Sequence, residues 1–122
     1  MVVVGFTITD LVPTSDPDGE LFLQNLEKAD YTAAYAQLAP EVQQLDGQDF
    51  DTFSDKVSEL GLSPECVATW KSIFVNVTTN GTTRSSTGTL ECPHALKPLY
   101  HLQFRWLKQG DAYRLMYYWI TG

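Results

Sequence analysis

Apolar positions recur every second residue over the opening stretch MVVVGFTITDLV. Val2, Val4, Phe6 and Ile8 share one face, and Val3, Gly5, Thr7 and Thr9 share the other. That period in β-branched residues predicts a strand, although the same stretch also reads as the tail of a membrane anchor whose body lies upstream. From residue 13 the pattern changes. Pro13, Ser15, Asp16, Pro17, Asp18 and Gly19 form a polar linker, and Asp16 followed by Pro17 has the form of an N-cap with proline at the first helical position. Residues 1–16 are therefore read as an N-terminal arm or strand, and residues 17–122 as a single domain. Helical spacing puts Phe22, Leu26 and Ala29 on one face, Asp30 caps a second helix over YTAAYAQLA, and Pro40 opens a short turn. A third helix, DFDTFSDKVSEL, carries Phe50, Phe53, Val57 and Leu60 as an apolar stripe and stops at Gly61.

After Pro64 the signals are those of strands. WKSIFVNVTTNGTTRSSTGTLEC reads as a hairpin pivoting on Asn80-Gly81, because both residues tolerate the positive φ of a type I′ turn. LYHLQFRWLKQGDAYRLMYYWI pivots near Gln109-Gly110. If Lys108 faces Asp111, then Trp106 lies opposite Tyr113, Phe104 opposite Leu115, Leu102 opposite Tyr117 and Tyr100 opposite Trp119. Side chains alternate along a strand, so all eight share one face. His101, Gln103, Arg105, Arg114, Met116 and Tyr118 take the other. The fold class is α+β, with three N-terminal helices covering the aromatic face of an antiparallel sheet built from two C-terminal hairpins.

These elements resemble the nuclear transport factor 2-like superfamily, also called the cystatin-like cone fold. FLQNLEKADYTAAYAQLAPEVQ is similar to the first two helices of its small extracytoplasmic, lipoprotein-type members, and FRWLKQGDAYRLMYYW to its terminal hairpin. With DFDTFSDKVSELGL the likeness spans residues 18–121. The resemblance implies a strongly bent sheet closing into a cone. It does not imply one function, because the superfamily holds isomerases, cyclases and dehydratases beside non-catalytic modules.

Charge and chemistry narrow the classes. The formal charge of −7 leaves no basic patch for a phosphate backbone, which excludes nucleic acid as a natural partner. No run of apolar residues is long enough to span a bilayer, so a membrane enters only through a tether absent from this chain. Cys66, Cys92, His94 and His101 lack the close ligand pairs of a zinc site, and neither a metal nor a cofactor is expected. Cone-fold enzymes work with acids and imidazoles in an apolar cavity. Here the inner face supplies Tyr100, Tyr113 and Tyr117 but no acid. Glu91 sits at a strand end, His94 reads as a loop residue, His101 is on the outer face, and capping accounts for Asp30. No catalytic residue is assigned.

Two surfaces remain. Tyr100, Phe104, Trp106, Tyr113, Tyr117 and Trp119 would line a ligand pocket for a small apolar molecule, or, in an alternative reading, the pocket of a small isomerase or lyase, if the helices leave the cone hollow. His101, Arg105, Arg114, Met116 and Tyr118 would form an outer interface, for a protein partner or a homodimer. The expectation is a non-enzymatic, extracytoplasmic binding domain acting through that outer face. Asn76-Val77-Thr78 and Asn80-Gly81-Thr82 match the glycosylation pattern, but a Thr-rich hairpin explains them more simply.

The two cysteines test the compartment. In the ideal Asn80-Gly81 register Cys92 faces Thr69, three residues from Cys66. That offset is ~10 Å with side chains on opposite faces, past the ~7 Å reach of a disulfide. Both cysteines, however, adjoin prolines, Pro64 and Pro93, where a bulge or a turn of chain would close the gap. The expectation is a Cys66–Cys92 bridge in an oxidising compartment.

Overall fold

Three of the four described helices start where an aspartate satisfies open N–H groups. The computed structural model describes residues 15–93, 95 and 97–121, so the expected arm lies, up to residue 14, outside the described residues. Helix α1 spans Pro17–Glu27, and its N-cap Asp16 accepts from the Gly19 N–H at 3.1 Å. Helix α2, Tyr31–Ala36, is capped by Asp30 through the Ala33 N–H. Pro40–Gln43 forms the single turn α3. Helix α4, Phe50–Ser58, is capped by Asp49, and the chain leaves it through Gly61 at φ 67°. The caps at Asp16 and Asp30 are the ones the sequence predicts, and Asp49 adds a third. Ala29, expected on the buried face of α1, is instead an exposed turn residue, and Leu23 takes its place in the core.

Four antiparallel strands follow in sequence order, β1 (Val67–Thr78), β2 (Gly81–Glu91), β3 (Leu99–Gln109) and β4 (Ala112–Thr121). Both hairpins exist, but their registers differ from the ideal ones. Thr78 pairs with Gly81, so the first loop is Thr79-Asn80 rather than Asn80-Gly81. Neither loop residue has a positive φ, which excludes the type I′ turn. The Thr78 hydroxyl fixes the loop instead, accepting from the Asn80 N–H and donating to the Gly81 carbonyl. In the second hairpin Gln109 pairs with Ala112 around Gly110-Asp111, a shift of two residues that preserves the faces. Gly110, at φ 68°, supplies the left-handed turn.

Each hairpin also carries a bulge. On β1 the extra residue is Lys71, between Trp70 opposite Gly88 and Ser72 opposite Thr87. On β4 it is Met116, between Leu115 opposite Trp106 and Tyr117 opposite Arg105. One extra residue reverses the face of everything beyond it. Tyr118 and Ile120 therefore point toward the helices, and Tyr117 and Trp119, expected inside, point out.

The core lies between the helices and the inner sheet face. Tyr100, Leu102, Phe104 and Trp106 alternate inward along β3, and Leu90 and Leu115 join them from β2 and β4. Phe22, Leu23, Leu26, Ala34, Leu38, Phe53 and Val57 cover them. Phe22 packs against Phe104 at 5.7 Å between ring centroids and against Phe53 at 6.2 Å, tilted or edge-on as aromatic quadrupoles prefer. Beyond α2 the main chain docks on β4, where Leu115 donates to Gln37 and accepts from Ala39.

Candidate functional site

The residues expected to line a pocket divide into three groups. Phe104 and Trp106 are wholly buried packing residues, and Tyr100 is buried with its hydroxyl bonded to the Leu60 carbonyl at 2.7 Å. Tyr113 is half-buried under the Arg84 guanidinium, 4.2 Å from its ring centroid. Tyr117 and Trp119 are on the outer face. The aromatic wall is thus packing rather than a chamber. The bulge at Met116 removes two of its six members, and Phe22 and Phe53 fill the space before the rest.

One polar cluster does lie on the inner face. Asp16 is completely buried and its two oxygens accept from Ser86 Oγ at 2.6 Å, Trp106 Nε1 at 2.8 Å and the Gly19 N–H, while Arg84 pairs with it at 2.9 Å. Arg84 also pairs with Asp18, and its Nε has no hydrogen-bond partner among the described residues. Trp70 adds a bond from its Nε1 to Glu20. Every oxygen of Asp16 is engaged, so the cluster latches the start of α1 to β2 and β3. Sequence reading identified Asp16 only as a cap. The alternation of Arg84, Ser86, Gly88 and Leu90 along β2 was the available sign that an arginine faces inward.

A groove of about 460 Å³ opens at the β4 edge. Val42 and Val57, with Leu45 and Leu60 just past the ends of α3 and α4, line one side, Lys56 and Gln48 join them, and Met116–Ile120 line the other. No carboxylate and no imidazole lines it. Tyr118 reaches it with its ring against Phe22 and Phe53, and burial holds its hydroxyl above the ordinary phenol range.

The outer sheet face can be read in rows across the four strands. Thr69, Thr89, His101 and Thr121 form one row, and Ser72, Thr87, Gln103 and Trp119 the next. Phe74, Ser85, Arg105 and Tyr117 form a third. Trp119 is 51% exposed, Tyr117 40% and Phe74 70%. A hollow of about 200 Å³ lies beside Trp119, bounded by His101, Gln103 and Thr87. Among the residues expected to form an interface, His101 and Arg105 are exposed on this face. Arg114 is exposed too, but it pairs with Leu107 rather than facing Arg105, and it donates to the Ala36 carbonyl at 3.2 Å. Met116 and Tyr118 do not belong to the outer face, because the bulge places them against the core. Tyr117 and Trp119 stand in their place.

Of the remaining candidates, His94 lies outside the described residues and Glu91 is exposed at a strand end. No cluster of metal-binding side chains occurs among the described residues, and no described helix is long and apolar enough to cross a membrane. Cys66 and Cys92 form a disulfide with their Cα atoms 4.2 Å apart. No protein-family model and no curated protein matches the chain.

Proposed function

We propose that this chain is a non-catalytic binding domain of the cone-fold, nuclear transport factor 2-like kind, working outside the cytoplasm through protein contacts on its outer sheet face. The observation that carries the reading is the exposure of Tyr117 and Trp119 beside Arg105. Aromatic and arginine side chains gathered on a face with few other charges have the composition of an interface centre. The Thr- and Ser-rich rows around them give a polar rim. The disulfide supports an oxidising compartment. The packed aromatic interior and a groove without acid or imidazole favour binding over acid–base catalysis.

The partner is a second copy of this chain, meeting the same face. Of the three tryptophans, Trp106 is buried and Trp70 half-buried, so Trp119 dominates the exposed fluorescence signal. We expect the emission to shift to the blue and acrylamide quenching to weaken as protein concentration rises. Emission and quenching that stay constant up to millimolar protein would remove the self-association reading.

A further inference from the structure

The edge of β4 beyond Leu115 is where the described sheet stops. Leu115 is bonded on that side to Gln37 and Ala39, in a parallel bridge with Leu38. Pro40 then turns the chain away, and among the described residues no main-chain partner follows along Tyr117–Thr121. Five consecutive residues, Met116 to Ile120, line the groove there. Successive strand residues point to opposite faces, so only a strand edge can present five in a row. The groove is therefore a shelf beside N–H and C=O groups that no described residue pairs.

A second hollow of about 250 Å³ continues the groove past Ile120. Lys56, Leu60 and Ile120 line both, and Lys97, Tyr100, Glu59 and Thr121 complete the second. The trough thus runs from an apolar stretch at Val42, Leu45 and Val57 to an end where two lysines face one glutamate. In a chain of net charge −7, such an end selects a negative group.

We propose that this trough binds an extended peptide with a free C-terminus, added to β4 as a fifth strand. The peptide runs parallel to β4, taking up the line that Leu38 begins and Pro40 abandons, so its C-terminal carboxylate meets Lys56 and Lys97. Alternate side chains enter the shelf against Val57 and Leu60 and want to be aliphatic. The others emerge beside Tyr117 and Trp119. Main-chain bonds supply affinity, and the shelf and the lysines supply specificity.

The test uses the full chain, isotopically labelled, titrated with an N-acetylated hexapeptide of alternating threonine and valine, and separately with its C-terminal amide. Six extended residues reach ~20 Å, enough to follow β4 from the bulge to its end. We expect the free acid to shift the amide resonances of Tyr117–Thr121 and slow their hydrogen exchange. Amidation or Lys56→Glu should weaken binding at least about fivefold, the scale of one lost charge contact. Leu45→Glu, at a position 59% exposed and so harmless to folding, should abolish it. Equal binding of acid and amide, or no shift at these residues at millimolar peptide, would overturn the proposal. Shifts confined to Phe74 and Arg105 would also overturn it, leaving the outer-face reading untouched. If the same β4 shifts appear on concentrating the protein alone, the edge serves a second copy and not a peptide.

Discussion

Ala29 is the only described residue other than glycine with a positive φ, 59°. It closes α1 in a Schellman arrangement, its own N–H bonded to Leu26 and the Asp30 N–H to Asn25. Asp30 then caps α2, so one tight junction both ends a helix and starts the next. A Cβ in the left-handed region costs ~1–2 kcal/mol, partly offset because glycine has more unfolded-chain entropy to lose. Ala29→Gly should therefore stabilise the fold by about 0.5–1 kcal/mol, read as a higher urea midpoint with an unchanged slope. At the end of the same helix, Glu27 has its pKa raised to about 7, first by burial and then by the charge of Glu20. The folded state thus holds this proton more tightly than the unfolded one. Stability from this group is fully present below the ordinary glutamate value of 4.5 and is lost as pH rises to about 7. Glu27→Gln should match the wild type at pH 4 and exceed it by a margin that grows through this window and is constant above pH 7. A margin independent of pH would contradict that account.

At the scale of elements, two bulges and two turns decide what the strands present. The starts of α1 and α2 were legible from Asp16 and Asp30, because capping is local chemistry written in adjacent residues. The β4 bulge was not legible. Nothing in LMYYWI marks Met116 as the extra residue, and regular alternation carried past it puts Tyr117 and Trp119 on the wrong face. The β1 bulge has a faint sign in Gly88. A Cβ there would lie 2.4 Å from the Thr69 carbonyl oxygen and 3.1 Å from the Trp70 Cα. Only glycine lets the bulged strand pass so closely. We expect Gly88→Ala to cost ~1–3 kcal/mol or more, since backbone must move rather than a side chain; a loss within the error of a urea titration would mean that the bulge readily relaxes.

Over the whole molecule, the same two devices create the disulfide. The first turn sits two residues from the ideal register and the Lys71 bulge adds one more, so the pairing that ends at Val67 with Glu91 sets Cys66 beside Cys92. The missing three residues come from the turn and the strand interior, not from the prolines flanking the cysteines. Closing a loop with a sequence separation of 26 stabilises the fold by ~3–4 kcal/mol in the chain-entropy picture. Unreduced protein should show no thiol to alkylating reagent after denaturation, and reduction should lower the urea midpoint. The Asp16–Arg84 latch, by contrast, joins residues 68 positions apart in the chain through side chains whose individual roles are ordinary. Only tertiary placement reveals it. The outer face combines both cases, since His101 and Arg105 follow from alternation and Tyr117 and Trp119 from the bulge.

That outer face carries the functional reading, and sedimentation velocity from micromolar to millimolar protein tests it most directly, comparing the wild type with Trp119→Asp. Trp119 is half exposed, so the substitution should leave the monomer folded, with unchanged circular dichroism and urea midpoint. We expect the wild-type coefficient to rise with concentration toward that of a dimer while the variant stays monomeric. A wild type that sediments as a monomer throughout, or a variant that associates equally well, would contradict a self-complementary outer face.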